Sequence, residues 1–255
     1  MKKLVLAAVA ALALGTAAFA DPLKIGVAAE PYPPFTSPDA SGNWVGWEVD
    51  FLGAICKQAA LDCVITPTAW DGIIPALTSG QIDIIMSSMS ITAERAKTID
   101  FSDKYYNTPA MVMVAKDSTI TPDAAGLTGK IVGVQVSTTH EAYTQKYFAP
   151  VAQEVKTYQT QDEANQDLAA GRLDAVMADS IALQAFLDSD AGKACCKSAG
   201  NVKSDPAILG AGVGFGVRKG DPVLAKLNDA IKAVRADGTY AAITAKYFPF
   251  DIYGE

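Results

Sequence analysis

Short apolar runs recur along the chain, each followed by a polar turn and a stretch with helical spacing. Leu23-Lys24-Ile25-Gly26-Val27 reads as an opening strand. Pro31-Tyr32-Pro33-Pro34-Phe35 ends it in a rigid loop, because successive prolines cannot feed a hydrogen-bond ladder. Ser41-Gly42-Asn43 is a turn. From Val49 to Ala60, Val49, Leu52, Ile55 and Cys56 fall on one helical face. Cys63 to Thr66 is a short strand, Ile73 to Leu77 a short helix stopped by Gly80, and Ile82 to Met86 the next strand. This rhythm predicts a parallel sheet with helices on both faces.

The rhythm then restarts. Ala110 to Ala115 and Ile131 to Val134 read as strands, Thr138 to Tyr147 and Gln161 to Ala170 as helices, and Asp174 to Met177 as a further strand. Leu77-Thr78-Ser79-Gly80-Gln81-Ile82-Asp83-Ile84 is echoed by Leu168-Ala169-Ala170-Gly171-Arg172-Leu173-Asp174-Ala175. Helical spacing returns at Pro222 to Asp237 and from Gly238 to about Tyr247. The expected fold is α/β with two lobes, each a mainly parallel sheet flanked by helices, and a cleft between them. Lobe one takes residues 21–108 and 206–255, and lobe two takes 109–205. Ligands commonly bind between domains and beyond strand C-termini.

The first twenty residues stand outside this pattern. Lys2 and Lys3 precede a short apolar core from Leu4 to Leu14, and Ala18-Phe19-Ala20 has the small-x-small form of a leader cleavage site. The expectation is an exported, soluble periplasmic protein cut after Ala20. Losing the two leader lysines from 21 basic residues leaves 19 against 28 acidic, a balance of −9. Such a surface disfavours nucleic acid, which rewards basic proteins. It mildly favours cationic ligands, but salt screens that field beyond about 8–10 Å.

An oxidising compartment gives the four cysteines meaning. Cys56 and Cys63 bracket a helix-to-strand turn and are expected to form a structural disulfide. Cys195 and Cys196 are neighbours, for which a bond is geometrically demanding, so they read as free thiols or as a means of capturing another chain. With His140 the only histidine, no metal site is expected, and no cofactor.

Candidate chemistry concentrates at Ser87-Ser88-Met89-Ser90-Ile91-Thr92-Ala93-Glu94-Arg95, which follows an apolar strand. Hydroxyls, backbone N–H groups and a planar, permanently charged guanidinium suit a carboxylate. Thr92 is placed to cap a helix beginning there. Ser137-Thr138-Thr139 opens a helix in the other lobe and can reach the same anion, or serve only as a cap. Asp179 ends a strand, where it can pair with an ammonium, cap the next helix, or do both. Tyr32 and Trp70 are loop aromatics able to sandwich an alkyl or guanidinium stem, although packing alone would also explain them. Glu30 and Glu48 are placed near the same mouth, where an acid attracts a cation; a solvated surface role is the alternative.

These residues resemble the periplasmic solute-binding proteins of polar amino-acid ABC transporters, especially the lysine/arginine/ornithine and histidine branch. The resemblance rests on Tyr32-Pro33-Pro34-Phe35, Gly46-Trp47-Glu48-Val49-Asp50, Trp70-Asp71-Gly72-Ile73-Ile74-Pro75, Ser87 to Arg95, Gly171-Arg172-Leu173-Asp174, Asp237-Gly238-Thr239-Tyr240 and the ending Lys246 to Glu255. It implies that Arg95 grips an α-carboxylate with Ser90 and Thr139, and that Asp179 takes the α-ammonium near Ser88 and Ser90. Tyr32 and Trp70 would flank the side chain, Ser87 and Glu30 would face its distal end, and Gln135 would border the same space. The spacing of Cys56 and Cys63 matches that branch's disulfide.

The chain also departs from the pattern. Ala28 and Ala29 stand where the basic branch usually has an aspartate, Ser137 replaces a glycine, and Gly46-Trp47-Glu48 replaces Gly-Phe-Asp. The implied protein is a monomeric receptor rather than an enzyme, closing on a basic α-amino acid by hinge bending and presenting it to an ABC permease. Rival readings are a receptor for opines or other polar amino acids, and a prephenate or arogenate dehydratase on the same scaffold.

Overall fold

The computed structural model describes residues 21–254, so the leader assigned to residues 1–20 and the terminal Glu255 lie outside the described residues. The fold is mixed α/β. Two five-stranded sheets carry it. In the first, the order across the sheet is Cys63–Thr68, Leu23–Ala28, Ile84–Ile85, Gly216–Val217 and Asp100–Phe101. In the second it is Cys196–Asn201, Ala110–Ala115, Ala175–Asp179, Ile131–Gln135 and Glu154–Tyr158.

Each sheet is parallel on one side and antiparallel on the other, where the sequence rhythm alone predicts mainly parallel pairing. Leu23–Ala28 and Ile131–Gln135 run parallel to both of their neighbours, as helical crossovers require. Gly216–Val217 and Ala110–Ala115 run antiparallel to both of theirs. These are the strands by which the chain arrives from the other sheet, so no crossover helix sets their direction.

The helix Trp47–Gln58 anchors the first sheet. Its periodic face buries Trp47, Phe51, Leu52 and Ile55, and it packs on the helices Val223–Ala236 and Thr239–Thr244. Burial of each such side chain stabilises by about 1.5–3 kcal/mol. The indole of Trp47 donates to Thr244 Oγ1 at 3.1 Å, which satisfies its one polar atom. Only glycine fits ahead of this helix: Gly46 has φ of 127°, and a Cβ there would lie 2.2 Å from the Phe35 carbonyl oxygen. The second sheet is packed on both faces, with Val112, Val114, Val132, Val134 and Met177 on one side and Met113, Leu168, Val176 and Leu183 on the other.

The disulfide Cys56–Cys63 is present and ties the helix end to the neighbouring strand. Cys195 and Cys196 correct the expectation of free or intermolecular thiols, because they are bonded to each other. They sit at the junction of the helix Asp190–Cys195 and the strand Cys196–Asn201, where the chain turns from one element into the next. Glu154–Tyr158 and Cys196–Asn201 are edge strands that the apolar pattern does not announce, being polar at most positions. The helix expected after Thr92 is a single 3-10 turn, Arg95–Lys97, and Thr92 Oγ1 accepts from Arg95 N at 3.2 Å. It ends at once because Ile99 must enter the core, where it is fully buried.

Candidate functional site

The parallel strands of both sheets end at one cleft. Just past Leu23–Ala28 comes Glu30, and past Ile84–Ile85 come Ser87, Ser88 and Ser90. Gln135 ends its own strand in the second sheet, and Thr139 begins the helix Thr139–Tyr147 immediately after it. The cleft has an open volume of about 490 Å³, and every predicted ligand residue except Asp179 lines it. Asp179 lines an adjoining space that shares Tyr32, Ser88, Ser90 and Thr139 with the first. All ten are therefore gathered at one place.

The basic half of the cleft is built around Arg95. Nη1 donates to Ser90 O and Nη2 to Ser137 O, each at 3.0 Å, and the guanidinium lies 5.4 Å from the centre of the Trp70 ring. These bonds aim the fork while leaving N–H groups for a ligand. Burial lowers the Arg95 pKa to about 10, so it stays charged at neutral pH. Opposite, Thr138 Oγ1 accepts from Glu141 N at 3.0 Å and donates to Gln135 O at 2.7 Å. The first turn of the nine-residue helix, led by Thr139, adds unpaired backbone donors and the positive end of a helix dipole.

Two serines in this half hold left-handed backbone, Ser88 with φ of 52° and Ser137 with φ of 60°. Such values are costly for residues with a Cβ and persist only when surroundings enforce them. Glutamates enforce both. Ser88 donates its N–H to Glu48 Oε1 at 2.8 Å and its hydroxyl to Glu48 Oε2 at 3.1 Å. Ser137 N donates to Glu141 Oε2 at 2.7 Å. The lost glycine at 137 is thus compensated locally.

Glu48 corrects the sequence reading. It is 0 % exposed, not at the mouth, and also accepts from the Tyr105 hydroxyl at 2.5 Å. Burial raises its pKa, opposed by these hydrogen bonds. Ser87 has a similar second duty, its hydroxyl accepting from Ala28 N at 2.9 Å.

The other half of the cleft is acidic. Asp179 Oδ1 accepts from Ile181 N at 2.8 Å and Ala182 N at 3.3 Å, so it caps the helix Ser180–Asp188, while Oδ2 accepts from Thr108 Oγ1. Burial raises its pKa. Glu30 Oε1 accepts from Gln135 Nε2 at 2.9 Å, and the same amide nitrogen donates to Gln159 O at 3.0 Å. Burial raises the Glu30 pKa, and Asp71 and Glu163 push it the same way. Glu30 is thus the one carboxylate lining the first space and Asp179 the one lining the adjoining space, and neither lining contains a lysine or an arginine besides Arg95. Tyr32 and Trp70 line the same space; the Trp70 indole donates to Val136 O at 3.0 Å, which fixes the ring across the cleft.

His140 and Gln161 are cleft residues that sequence reasoning missed. His140 borders both spaces, and burial together with Arg95 lowers its pKa to about 4, so its imidazole is neutral. Its position directly after Thr139, on the helix that opens at the cleft, was the available signal. Gln161 is held by Asn165 Oδ1, to which its amide donates at 2.9 Å. No group of three or more His, Cys, Asp or Glu able to hold a metal ion occurs among the described residues.

Similarity to known proteins covers nearly the whole chain. The profile of the bacterial extracellular solute-binding proteins, family 3, matches residues 23–250. An L-arginine-binding protein of Pseudomonas aeruginosa is 44% identical over 259 residues, spanning 100% of this chain and 99% of that one. A histidine-binding periplasmic protein of Salmonella typhimurium is 42% identical over 260 residues, with 100% of both chains covered. Among solved structures, an ancestral arginine-binding protein bound to glutamine superposes with a TM-score of 0.81 at 36% identity, covering 91% of this chain and 100% of that one.

Proposed function

The chain belongs to the bacterial extracellular solute-binding proteins, family 3, and we propose that it is the soluble receptor of an amino-acid ABC importer. Its ligand is an α-amino acid with a basic side chain: arginine, lysine, ornithine or histidine. The observation that carries this reading is the polarity of one cleft. A half-buried guanidinium and a helix N-terminus occupy one end, and two carboxylates, Glu30 and Asp179, line the cleft without a lysine or a second arginine.

Arg95 takes the α-carboxylate with Ser90 and Thr139, and Asp179 takes the α-ammonium with Ser88 nearby. Tyr32 and Trp70 bracket the side-chain stem, and Glu30, supported by Gln135 and bordered by Ser87, receives the distal cation. The two sheets contribute opposite sides of this grip. The lobes run over residues 21–108 with 206–255, and over 109–205, so closing them engages the whole zwitterion at once. Ligand then favours the closed form through contacts that the open form lacks. The receptor works as a monomer in the periplasm after its leader is cut at Ala20, and the closed form is what a membrane permease recognises. Arginine- and histidine-binding names among the relatives support the basic ligand.

The binding reading is favoured over an enzyme because the relatives at 42–44% identity over the whole chain are amino-acid-binding proteins. Calorimetry with arginine, lysine, ornithine, histidine, glutamine and an opine tests the proposal. Dissociation constants in the micromolar range or below for at least one basic amino acid are expected. Binding of glutamine or opines alone would overturn the basic assignment, and turnover of prephenate would overturn the receptor.

A further inference from the structure

The adjacent pair Cys195–Cys196 plays no part in the cleft. It lies at the opposite end of the second sheet's edge strand: Cys196 pairs with Ala115, whereas the cleft-side residue Asp179 pairs with Ala110. Three observations set this bond apart from Cys56–Cys63. First, a bond between neighbours encloses no intervening chain, whereas Cys56–Cys63 spans a sequence separation of 7 and ties a helix to a strand. Opening it therefore releases little loop entropy. Second, the two sulfurs are unequally placed. Cys196 is 6 % exposed and packed among Met111, Met113 and Leu183, while Cys195 is only half-buried. Third, exposed lysines stand beside the pair: Lys193 and Lys197 flank it, although Asp190 opens the same helix, and Lys116 donates its Nζ to Lys193 O at 3.0 Å and its N–H to Cys195 O at 2.7 Å. Exposed cations beside the half-buried Cys195 favour the approach of an anionic reductant thiolate to that sulfur.

We infer that Cys195–Cys196 is a thiol–disulfide exchange site, opened by a dithiol reductant while the protein stays folded. A reductant thiolate attacks Sγ of Cys195 and forms a mixed disulfide, and the Cys196 thiolate leaves and takes a proton. The reductant's second thiolate then attacks its own sulfur in the mixed disulfide and releases Cys195 as a second thiolate, which is protonated. The protein disulfide gains two electrons, and the reductant becomes a disulfide.

The test uses the mature folded chain in a dithiothreitol series, quenched with N-ethylmaleimide and mapped by peptide mass spectrometry, with circular dichroism recorded on each sample. Labelling of residues 195 and 196 is expected at a dithiothreitol concentration at least 10-fold below that which labels 56 and 63, with an unchanged spectrum. Co-reduction of the two pairs, or labelling only with loss of structure, would overturn the inference. The order of attack is checked with reduced glutathione, a monothiol, on the oxidised wild-type chain quenched with N-ethylmaleimide: the species with glutathione on Cys195 and maleimide on Cys196 is expected to form at least 10-fold faster than the reverse. Equal or reversed rates would refute the assignment of Cys195.

Discussion

Gln135 donates from Nε2 to Oε1 of Glu30 at 2.9 Å, and this bond joins a strand of one sheet to the loop that follows a strand of the other. The Glu30 carboxylate is therefore aimed by a neutral amide, whose hydrogen bond opposes the rise in pKa that burial causes. Glu30→Gln is expected to weaken arginine binding about 10- to 100-fold, the scale of one partly desolvated charge pair. Glutamine affinity should change less than about 3-fold. Calorimetry with both ligands reads the difference, and equal losses would count against a role in side-chain selection.

Arg95 offers the sharpest loss. Arg95→Ala should lower affinity for every amino acid by at least about 100-fold, because no second cation reaches the cleft. Arg95→Lys should recover little of it, since an ammonium cannot keep Ser90 O, Ser137 O and a carboxylate in one planar fork. Thermal melts should show both variants folded; retained affinity in either would exclude the carboxylate role.

Asp179 separates structure from binding. Asparagine is a good helix cap, so Asp179→Asn should keep the bonds to Ile181 N and Ala182 N and shift stability by less than about 1 kcal/mol. Binding should fall by about 2–3 kcal/mol with the lost ammonium pair. Asp179→Ala should lose both. Equal binding by wild type and Asp179→Asn in calorimetry would leave Asp179 as a cap only.

Two pH effects run in opposite directions. Burial raises the pKa values of Asp179 and Glu30, so their charged forms are depleted early on acidification and affinity for a basic ligand should fall below neutral pH. In the unliganded protein those raised values favour folding at low pH and lose that contribution as pH rises. His140 behaves inversely. Its folded pKa, about 4, lies below the ordinary 6.5, so its contribution is full above 6.5 and is lost as pH falls towards 4. His140→Gln should remove up to about 2 kcal/mol of that acid-side loss, measured by urea unfolding at pH 4.5 and 7. An unchanged pH slope would show the imidazole to be solvated.

Cys56→Ser with Cys63→Ser should cost about 2–3 kcal/mol, the loop-entropy value for so short a bridge, without altering ligand choice. Paired denaturation and binding curves check it.

Much of this was legible in the sequence because buried strands with glycine and proline punctuation leave a strong signal. Ser87 to Arg95 could be placed beyond a strand end, and Asp179 could be read as a cap, from local chemistry alone. The strands Glu154–Tyr158 and Cys196–Asn201 were not legible, because edge strands need no continuous apolar run and owe their state to the neighbour that pairs with them. Glu48 misled for a related reason. Its charge argued for solvent, but its partners Ser88 and Tyr105 lie 40 and 57 residues away in sequence. The bond between Cys195 and Cys196 was missed because adjacency argued against it, while the turn from helix to strand accommodates it.

The two glutamates behind the left-handed serines have a consequence for how such a protein can change. Glu48 and Glu141 hold the loops from outside the cavity, whereas Glu30 and Gln135 line it. Selectivity and architecture are thereby assigned to different residues. On the proposed reading, diversification at Glu30, Gln135 and Gln161 retunes the pocket as a sensor for new metabolites, with Arg95 and Asp179 left as a fixed chassis.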